Sequence, residues 1–219
     1  MIVAAHSDDE VLGCGGTIAR HVSEGDVVEI VFLADGVMSR ADCDIKAIKA
    51  RENAAKAAHK ILGISHSVCL GMPDNKMDSL SLLDIVKPLE EVIQGFLPDL
   101  IYTHHNGDLN IDHRLTHQAV MTACRPVPGY TVREIYSFEV MSSTEWNPSG
   151  VSHFLPNYFI DISNDFLEKK LLALKEYSME MRKAPHSRSF EHVEYLARHR
   201  GYSVGLEAAE AFMTIRRLN

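Results

Sequence analysis

Two short apolar runs, at residues 2–5 and 100–103, each break off into a dense polar cluster. That pairing limits the fold more than any other feature of the chain. The first run passes into His6-Ser7-Asp8-Asp9-Glu10 and then a glycine-bearing stretch, Val11-Leu12-Gly13-Cys14-Gly15-Gly16. The second passes into His104-His105-Asn106-Gly107-Asp108-Leu109-Asn110-Ile111-Asp112-His113. Each reads as strand, loop and helix start, and in open α/β sheets ligands bind outside the carboxyl ends of the strands. Three acids and a histidine in five residues repel one another unless a cation or solvent compensates them. An acidic first turn is also ordinary helix-start chemistry, so the first cluster alone leaves metal binding and capping equally open.

The rest of the chain alternates in the same way. Residues 10–21 read as a helix whose three glycines lower its helicity, which points to close backbone packing. Residues 27–33 form a continuous apolar run suited to a buried parallel strand. A helix is expected over 44–62, with Ile45, Ile48, Ala55, Ala58 and Leu62 in helical rhythm and Gly63 as its stop. Further elements are a strand at 67–70, a helix at 79–95, a strand at 100–103 and a helix at 114–124. A strand at 134–140 and a loop at 141–157 follow, then an extended 158–162 and helices at 164–181 and 189–200. This alternation predicts an α/β fold with right-handed crossovers and a mostly parallel central sheet. G-C-G-G does not complete the dinucleotide fingerprint, and only Asp35 ends the next strand, so nucleotide binding is disfavoured.

Size and composition exclude several classes. The 219 residues suit one α/β domain spanning 1–219 better than two small ones. A net charge of −8 speaks against a nucleic-acid partner, which would want a basic face. No stretch of about 18 apolar residues suggests a membrane span. Cys14, Cys43, Cys69 and Cys124 form no C-x-x-C pair and read as reduced thiols. With no leader pattern at the start, a cytoplasmic protein is expected.

The two polar clusters can meet at one edge of one sheet. Between them they offer His6, Asp8, Asp9 and Glu10, and His104, His105, Asp108, Asp112 and His113. A His/His/carboxylate set suits a catalytic zinc, and one more carboxylate nearby would serve as general base. Ordinary alternatives stand beside this. His104 and His105 can be solvent-facing at a strand end, at least one of them, and Asp112 can be an N-cap. His59, His66, His192 and His199 read as surface residues, while His21 and His117 pack or are solvated.

The A-H-S-D-D-E opening, followed by an apolar residue, glycine and G-G-T, resembles the A-H-P-D-D-E motif of the PIG-L/LmbE-like zinc-dependent deacetylases. Asn110-Ile111-Asp112-His113 falls where that family carries H-x-x-H. Arg51-Glu52, Pro73-Asp74, Arg200-Gly201 and Ala209-Glu210-Ala211-Phe212 extend the likeness along the chain. The resemblance implies a Rossmann-like three-layer sandwich. It also implies His6, Asp9 and His113 as metal ligands and Asp8 as the base on the attacking water. Catalytic roles are extended to Asn110 and Asp112. Arg40, Asp74, His105, Trp146, His186 and Arg188 are the substrate-binding candidates. Residues 141–219 would contribute the pocket wall, with Ser142, Ser143, Glu145 and Trp146 suited to a sugar, although polar loops are also ordinary surface.

Two departures stand out. Ser7 replaces the family's proline without touching a ligand. Asn110 replaces the first histidine of H-x-x-H; its amide can donate a hydrogen bond but cannot shuttle a proton. Either Asp8 performs both proton transfers or His105 or His186 fills in. The reading is a de-N-acetylase acting on an N-acetylated amino sugar of GlcNAc type, free or conjugated. The alternatives are a metal-dependent amidase on another amide, such as a thiol conjugate, and a non-catalytic sugar-binding domain. Zinc is the expected metal, though the donor set also accepts ferrous iron, cobalt or manganese. The resemblance admits a homo-oligomer, but no exposed apolar stripe requires one.

Overall fold

The structure, a computed structural model, describes residues 1–34, 45–148 and 150–219. In chain order the elements are β1 (Ile2–Ala4), α1 (Asp9–Glu24), β2 (Glu29–Ala34), α2 (Ile45–Leu62), β3 (His66–Met72), α3 (Leu82–Phe96) and β4 (Leu100–His104). They continue with α4 (Ile111–Ala123), β5 (Glu134–Phe138), β6 (Tyr158–Asp161), α5 (Asp165–Glu176), α6 (Phe190–Tyr202) and β7 (Ala209–Arg217). The seven strands form one sheet in the order β3-β2-β1-β4-β5-β7-β6. The first five are parallel; β7 runs antiparallel to both its neighbours.

This order places the functional edge. From β1 the chain winds outward to β2 and β3, then returns to β4 on the other side of β1. Strand order reverses at the β1–β4 pair, where Ile2 lies opposite Tyr102 and Val3 opposite Thr103. Such a switch point opens a crevice beyond the carboxyl ends of the two strands. The polar clusters at 6–10 and 104–113 follow directly from these two strands.

Helices cover both faces. Leu12 and Ile18 of α1, Ala58 and Leu62 of α2, Leu167 and Leu174 of α5 and Val193 of α6 bury one face. Ile85 and Leu89 of α3, with Ala119 and Val120 of α4, bury the other. The expected three-layer α/β arrangement is therefore present. Among the described residues no helix is long and apolar enough to cross a membrane.

Sequence periodicity missed β7 altogether. Its buried Glu210 interrupts an otherwise apolar run, and the reason lies in α1. The Glu210 carboxylate accepts the backbone N–H groups of Gly16 at 3.0 Å and Thr17 at 2.7 Å. The buried Lys170 ammonium donates to the Leu12 carbonyl at 2.7 Å and to Glu210. An ion pair from α5 and β7 thus grips the backbone of α1 at its glycine-rich stretch. The helix at 114–124 also begins earlier than expected, at Ile111, because Asn110 caps it: its Oδ1 accepts the Asp112 N–H at 2.8 Å.

The glycines of α1 are there for contact. A Cβ at Gly13 would lie 2.4 Å from the Phe138 ring, and one at Gly16 would lie 2.8 Å from Ile162. Phe138 is fully buried and packs 4.7 Å from the His104 ring, so it has nowhere to retreat. Alanine gains up to about 1 kcal/mol of helix propensity over glycine, while overpacking a buried contact costs about 1–3 kcal/mol. Gly13→Ala is accordingly expected to lower stability by about 1–2 kcal/mol, read as a reduced urea midpoint. A midpoint equal to or above the parent's would contradict this packing.

Candidate metal centre

The turn from β1 to α1 is strained. Asp8, at the helix N-cap position, has φ 121° and ψ −28°, a region that non-glycine residues avoid and that costs about 1–3 kcal/mol. Three contacts hold it there. Its N–H donates to Glu10 Oε2 at 2.9 Å, and Arg51 donates to the Ser7 hydroxyl at 2.9 Å and to the Ser7 carbonyl. Glu10 is itself buried and anchored, accepting from Tyr177 at 2.8 Å and from His59 Nε2 at 3.3 Å. His59 is therefore a buried partner and not the surface residue expected from its helical position.

The strained turn delivers His6, Asp8 and Asp9 to the crevice, and the start of α4 delivers Asp112 and His113. Donor atoms of His6, Asp9 and His113 lie within 4.8 Å of one another, and all three residues are buried. His6 Nδ1 and His113 Nε2 each stand 3.3 Å from Asp9 Oδ2. The opposite nitrogen of each ring faces a carboxylate. His6 Nε2 lies 3.1 Å from Asp112 and 3.3 Å from Asp74, and His113 Nδ1 lies 3.2 Å from Asp108. A carboxylate on one nitrogen favours the N–H there, so that the nitrogens facing Asp9, His6 Nδ1 and His113 Nε2, are the ones that give up a proton and offer a lone pair to a cation. Two imidazole lone pairs and one carboxylate fit a divalent transition metal. His6, Asp74 and Asp112 also lie within 4.8 Å of one another. That second group is better read as support for His6, because Asp112 already accepts the N–H groups of Asn75 at 2.6 Å and Met77 at 3.1 Å.

The charges are mutually stabilised. Burial alone would lower His6, but hydrogen bonds to Asp112, Asp74 and Asp9 carry its pKa well above the usual histidine value. Burial likewise opposes protonation of His113, yet Asp9 and Asp108 raise it to about 9. Burial would raise Asp9, but His113, His6 and His104 pull it well below the carboxylate range. Burial lowers His104, and so does His113, stacked on it at 3.9 Å. The Ala5 N–H donates to His104 Nε2 at 2.8 Å, which keeps that ring neutral. Asp8 differs. Burial, Asp9 and Glu180 push it up to about 6 against the pull of Arg51 and Arg188. Its two oxygens accept from Arg51 Nη2 at 3.1 Å and Arg188 Nη1 at 3.0 Å.

His6, Asp8, Asp9, Arg51 and His113 line a cleft of about 130 Å³, together with Asp74, Asn75, Asn110, Ser142, Ser143, Glu180 and Arg188. Asn110 reaches the cleft while capping α4, and its Nδ2 donates to Asn75 Oδ1 at 3.1 Å. Asp112 is not the cap. Of the other candidates, Arg188 lies in the cleft, also donating from Nε to Ser142 Oγ at 2.9 Å. His186 stands behind it, accepting the Arg188 N–H at 3.0 Å. Trp146 is half exposed and meets the His186 ring edge-on at 5.8 Å, outside the cleft lining. His104 and His105 are both fully buried, against the expectation that one would face solvent. His105 Nε2 donates to the Ser152 carbonyl at 2.8 Å and does not line the cleft. Arg40 lies outside the described residues. Sequence reasoning singled out neither Arg51 nor Glu180 as a site residue; their own ion pair, 2.6 Å long, is buried beside Asp8. Arg51 shares the helical stripe of Ala54, Ala55, Ala58 and Leu62, all buried, and an arginine on an apolar stripe is the signal that could have found it.

The raised histidine values give a measurable consequence. Near pH 7 both His6 and His113 carry a proton in the metal-free protein, so a cation that takes their lone pairs must expel about two protons. Zinc titrations by calorimetry, in two buffers of different ionisation heat, are expected to show that release. A raised histidine contributes stability that is complete below pH about 6.5, and His113 loses its contribution as pH rises through about 9. The metal-free protein should therefore unfold more readily at pH 9.5 than at pH 7. Zinc binding without proton release would contradict the assignment of these rings.

Comparison with known proteins bears on the same residues. The PIG-L family, described as GlcNAc-PI de-N-acetylase, matches residues 1–124, which hold both polar clusters. The uncharacterized deacetylase YaiS of Escherichia coli is 30% identical over 182 residues, covering 81% of this chain and 89% of that protein. Among solved structures, the N,N'-diacetylchitobiose deacetylase from Pyrococcus horikoshii superposes with a TM-score of 0.78 at 20% identity, over 98% of this chain and 82% of that one. GalB, the 4-carboxy-2-hydroxymuconate hydratase of Pseudomonas putida KT2440, reaches 0.77 at 23% identity, over 100% and 96%. At such identities the structural likeness establishes the fold alone, and a hydratase and a deacetylase share it. The family match and the 30% identical relative go further: this chain belongs to the PIG-L family of de-N-acetylases.

Proposed function

We propose that the protein is a zinc-dependent hydrolase that removes the acetyl group from an N-acetylated amino sugar, releasing acetate and a free amine. The observation that carries this reading is a spare carboxylate. Asp8 lies beside the His6/Asp9/His113 group, lines the same cleft and, among the described residues, belongs to no set of donors that could hold the ion. A binding module has no need of it. A divalent cation held by His6, Asp9 and His113 would supply a Lewis acid that polarises the amide carbonyl and acidifies a water.

The protein's own groups account for the remaining steps. Asp8, with a pKa near 6, is ionised at neutral pH and close enough to that pH to accept and return a proton. It takes a proton from water as the water oxygen bonds to the acetyl carbon, and gives one to the nitrogen as the C–N bond breaks. Arg51 and Arg188 fix the carboxylate in place. Asp112 holds the Nε2 proton of His6, and Asp74 shares that side of the ring. Asn110 spends its Oδ1 on the helix cap and one Nδ2 hydrogen on Asn75, which leaves the other hydrogen to donate to the developing oxyanion. The polar cleft lining suits a hydroxylated substrate better than an apolar amide.

Acetate release from a panel of N-acetylated amino sugars tests the reading. Asp8→Asn is expected to lower kcat by about 10²–10⁴-fold while metal content stays that of the parent. Turnover of some other amide, with none of any amino sugar, would replace the substrate assignment and keep the chemistry. Full activity in Asp8→Asn would overturn the role of the base. Asn110→Ala should lower kcat more than it lowers metal occupancy, and should cost about 1 kcal/mol of stability through the lost cap. Loss of metal without a matching loss of rate would show that Asn110 serves the centre and not the reaction.

A further inference from the structure

Asp108 is buried, yet neither arginine nor lysine reaches its carboxylate among the described residues. The neighbouring Arg114 guanidinium donates to the Asp108 backbone carbonyl instead, at 2.7 Å. What surrounds the carboxylate is a ring of neutral donors. Ser143 donates its hydroxyl to Oδ1, the Asn110 N–H donates to Oδ1 at 2.8 Å, and Thr144 donates to Oδ2 at 2.6 Å. Thr144 is fixed in turn, because its hydroxyl accepts the Val140 N–H at 2.8 Å. An ionised group taken out of water without a counter-charge is costly. Among the described residues, the ring that faces this carboxylate is that of His113, its Nδ1 3.2 Å from Oδ1.

We propose that Asp108 is a positioning residue for His113, holding the proton on Nδ1 so that the Nε2 lone pair is presented to the cation. The Ser143 and Thr144 hydroxyls keep Asp108 aimed. This inference rests on the reading of His113 as a metal ligand. It ties the centre to the segment after β5, because Ser142 and Ser143 line the cleft beside Arg188. The wall of the pocket and the orientation of a ligand imidazole are then set by consecutive residues. Carboxylates behind ligand histidines typically change metal affinity by 10–100-fold when removed.

The test is a zinc competition titration against a chromophoric chelator, run on the full chain, with thermal unfolding of the metal-free protein alongside. Asp108→Asn keeps the volume and a hydrogen-bond acceptor but removes the charge. It is expected to bind zinc about 10–100-fold more weakly than the parent. The metal-free variant loses its ion pair with His113 and is expected to melt somewhat lower while still unfolding cooperatively, so a loss that merely reflected damaged folding would appear as a broad, non-cooperative transition. Ser143→Ala provides a second arm that leaves Asp108 and His113 in place, with zinc affinity expected to fall by about fivefold, the equivalent of one hydrogen bond. If the parent binds zinc and both variants match its affinity within twofold, the positioning role is overturned. If the parent binds no zinc, the ligand reading of His113 fails first and takes this inference with it.

Discussion

The carboxylates Asp8, Asp9, Glu10, Asp74, Asp108 and Asp112 are all buried at one edge of the sheet. Such a concentration of charge out of water survives only if every member is answered by a donor or a cation. Two imidazoles answer Asp9, two arginines answer Asp8, a tyrosine and a histidine answer Glu10, and two backbone N–H groups answer Asp112. The rest of the architecture can be read as what is needed to keep these pairs in register. The switch point between β1 and β4 brings the two clusters together. The glycines of α1 let that helix approach Phe138 and Ile162, and Lys170 with Glu210 grips its backbone from the far side.

Asp8 and Asp9 are adjacent in sequence, and cationic groups contact both, yet their proton affinities move in opposite directions. Asp9 sits among imidazoles and is held ionised far into acid, which suits a ligand. Asp8 is raised by its burial, with Asp9 and Glu180 close by, and together these outweigh the opposing pull of Arg51 and Arg188, so its proton affinity rises to a value useful for transfer. The unusual backbone at Asp8 is what separates them, turning one side chain toward α2 and the 184–188 segment and the other toward α4. Strain of this kind persists where the surroundings over-determine it, and here Arg51, Glu10 and the helix start all do so.

Much of this was legible in the residues. The parallel order followed from apolar runs alternating with helical rhythm, and the crevice followed from two such runs ending in acids and histidines. The glycines of α1 announced close packing before any contact was known. What escaped was non-local. β7 carries a buried Glu210 whose partners lie on α1 and α5, so its sequence looks too polar for an interior strand. His59 reads as a surface residue and Arg51 only as part of a motif, because their carboxylate partners are some forty to fifty residues away. Asn110, and not Asp112, caps the helix, since either residue type can do so and only the backbone shows which one does. His105 and Trp146 were drawn toward the substrate by their chemistry, but the structure uses one to tie down the 152 carbonyl and places the other at the rim.

The central claim is that a single cation sits between His6, Asp9 and His113, with Asp112 and Asp74 outside its reach. Anomalous diffraction at the zinc edge from zinc-grown crystals tests this most directly. The account predicts one strong peak about 2.0–2.2 Å from His6 Nδ1, His113 Nε2 and an Asp9 oxygen. A peak on the Nε2 side of His6, bound by Asp74 and Asp112, or no peak at this edge of the sheet, would contradict it.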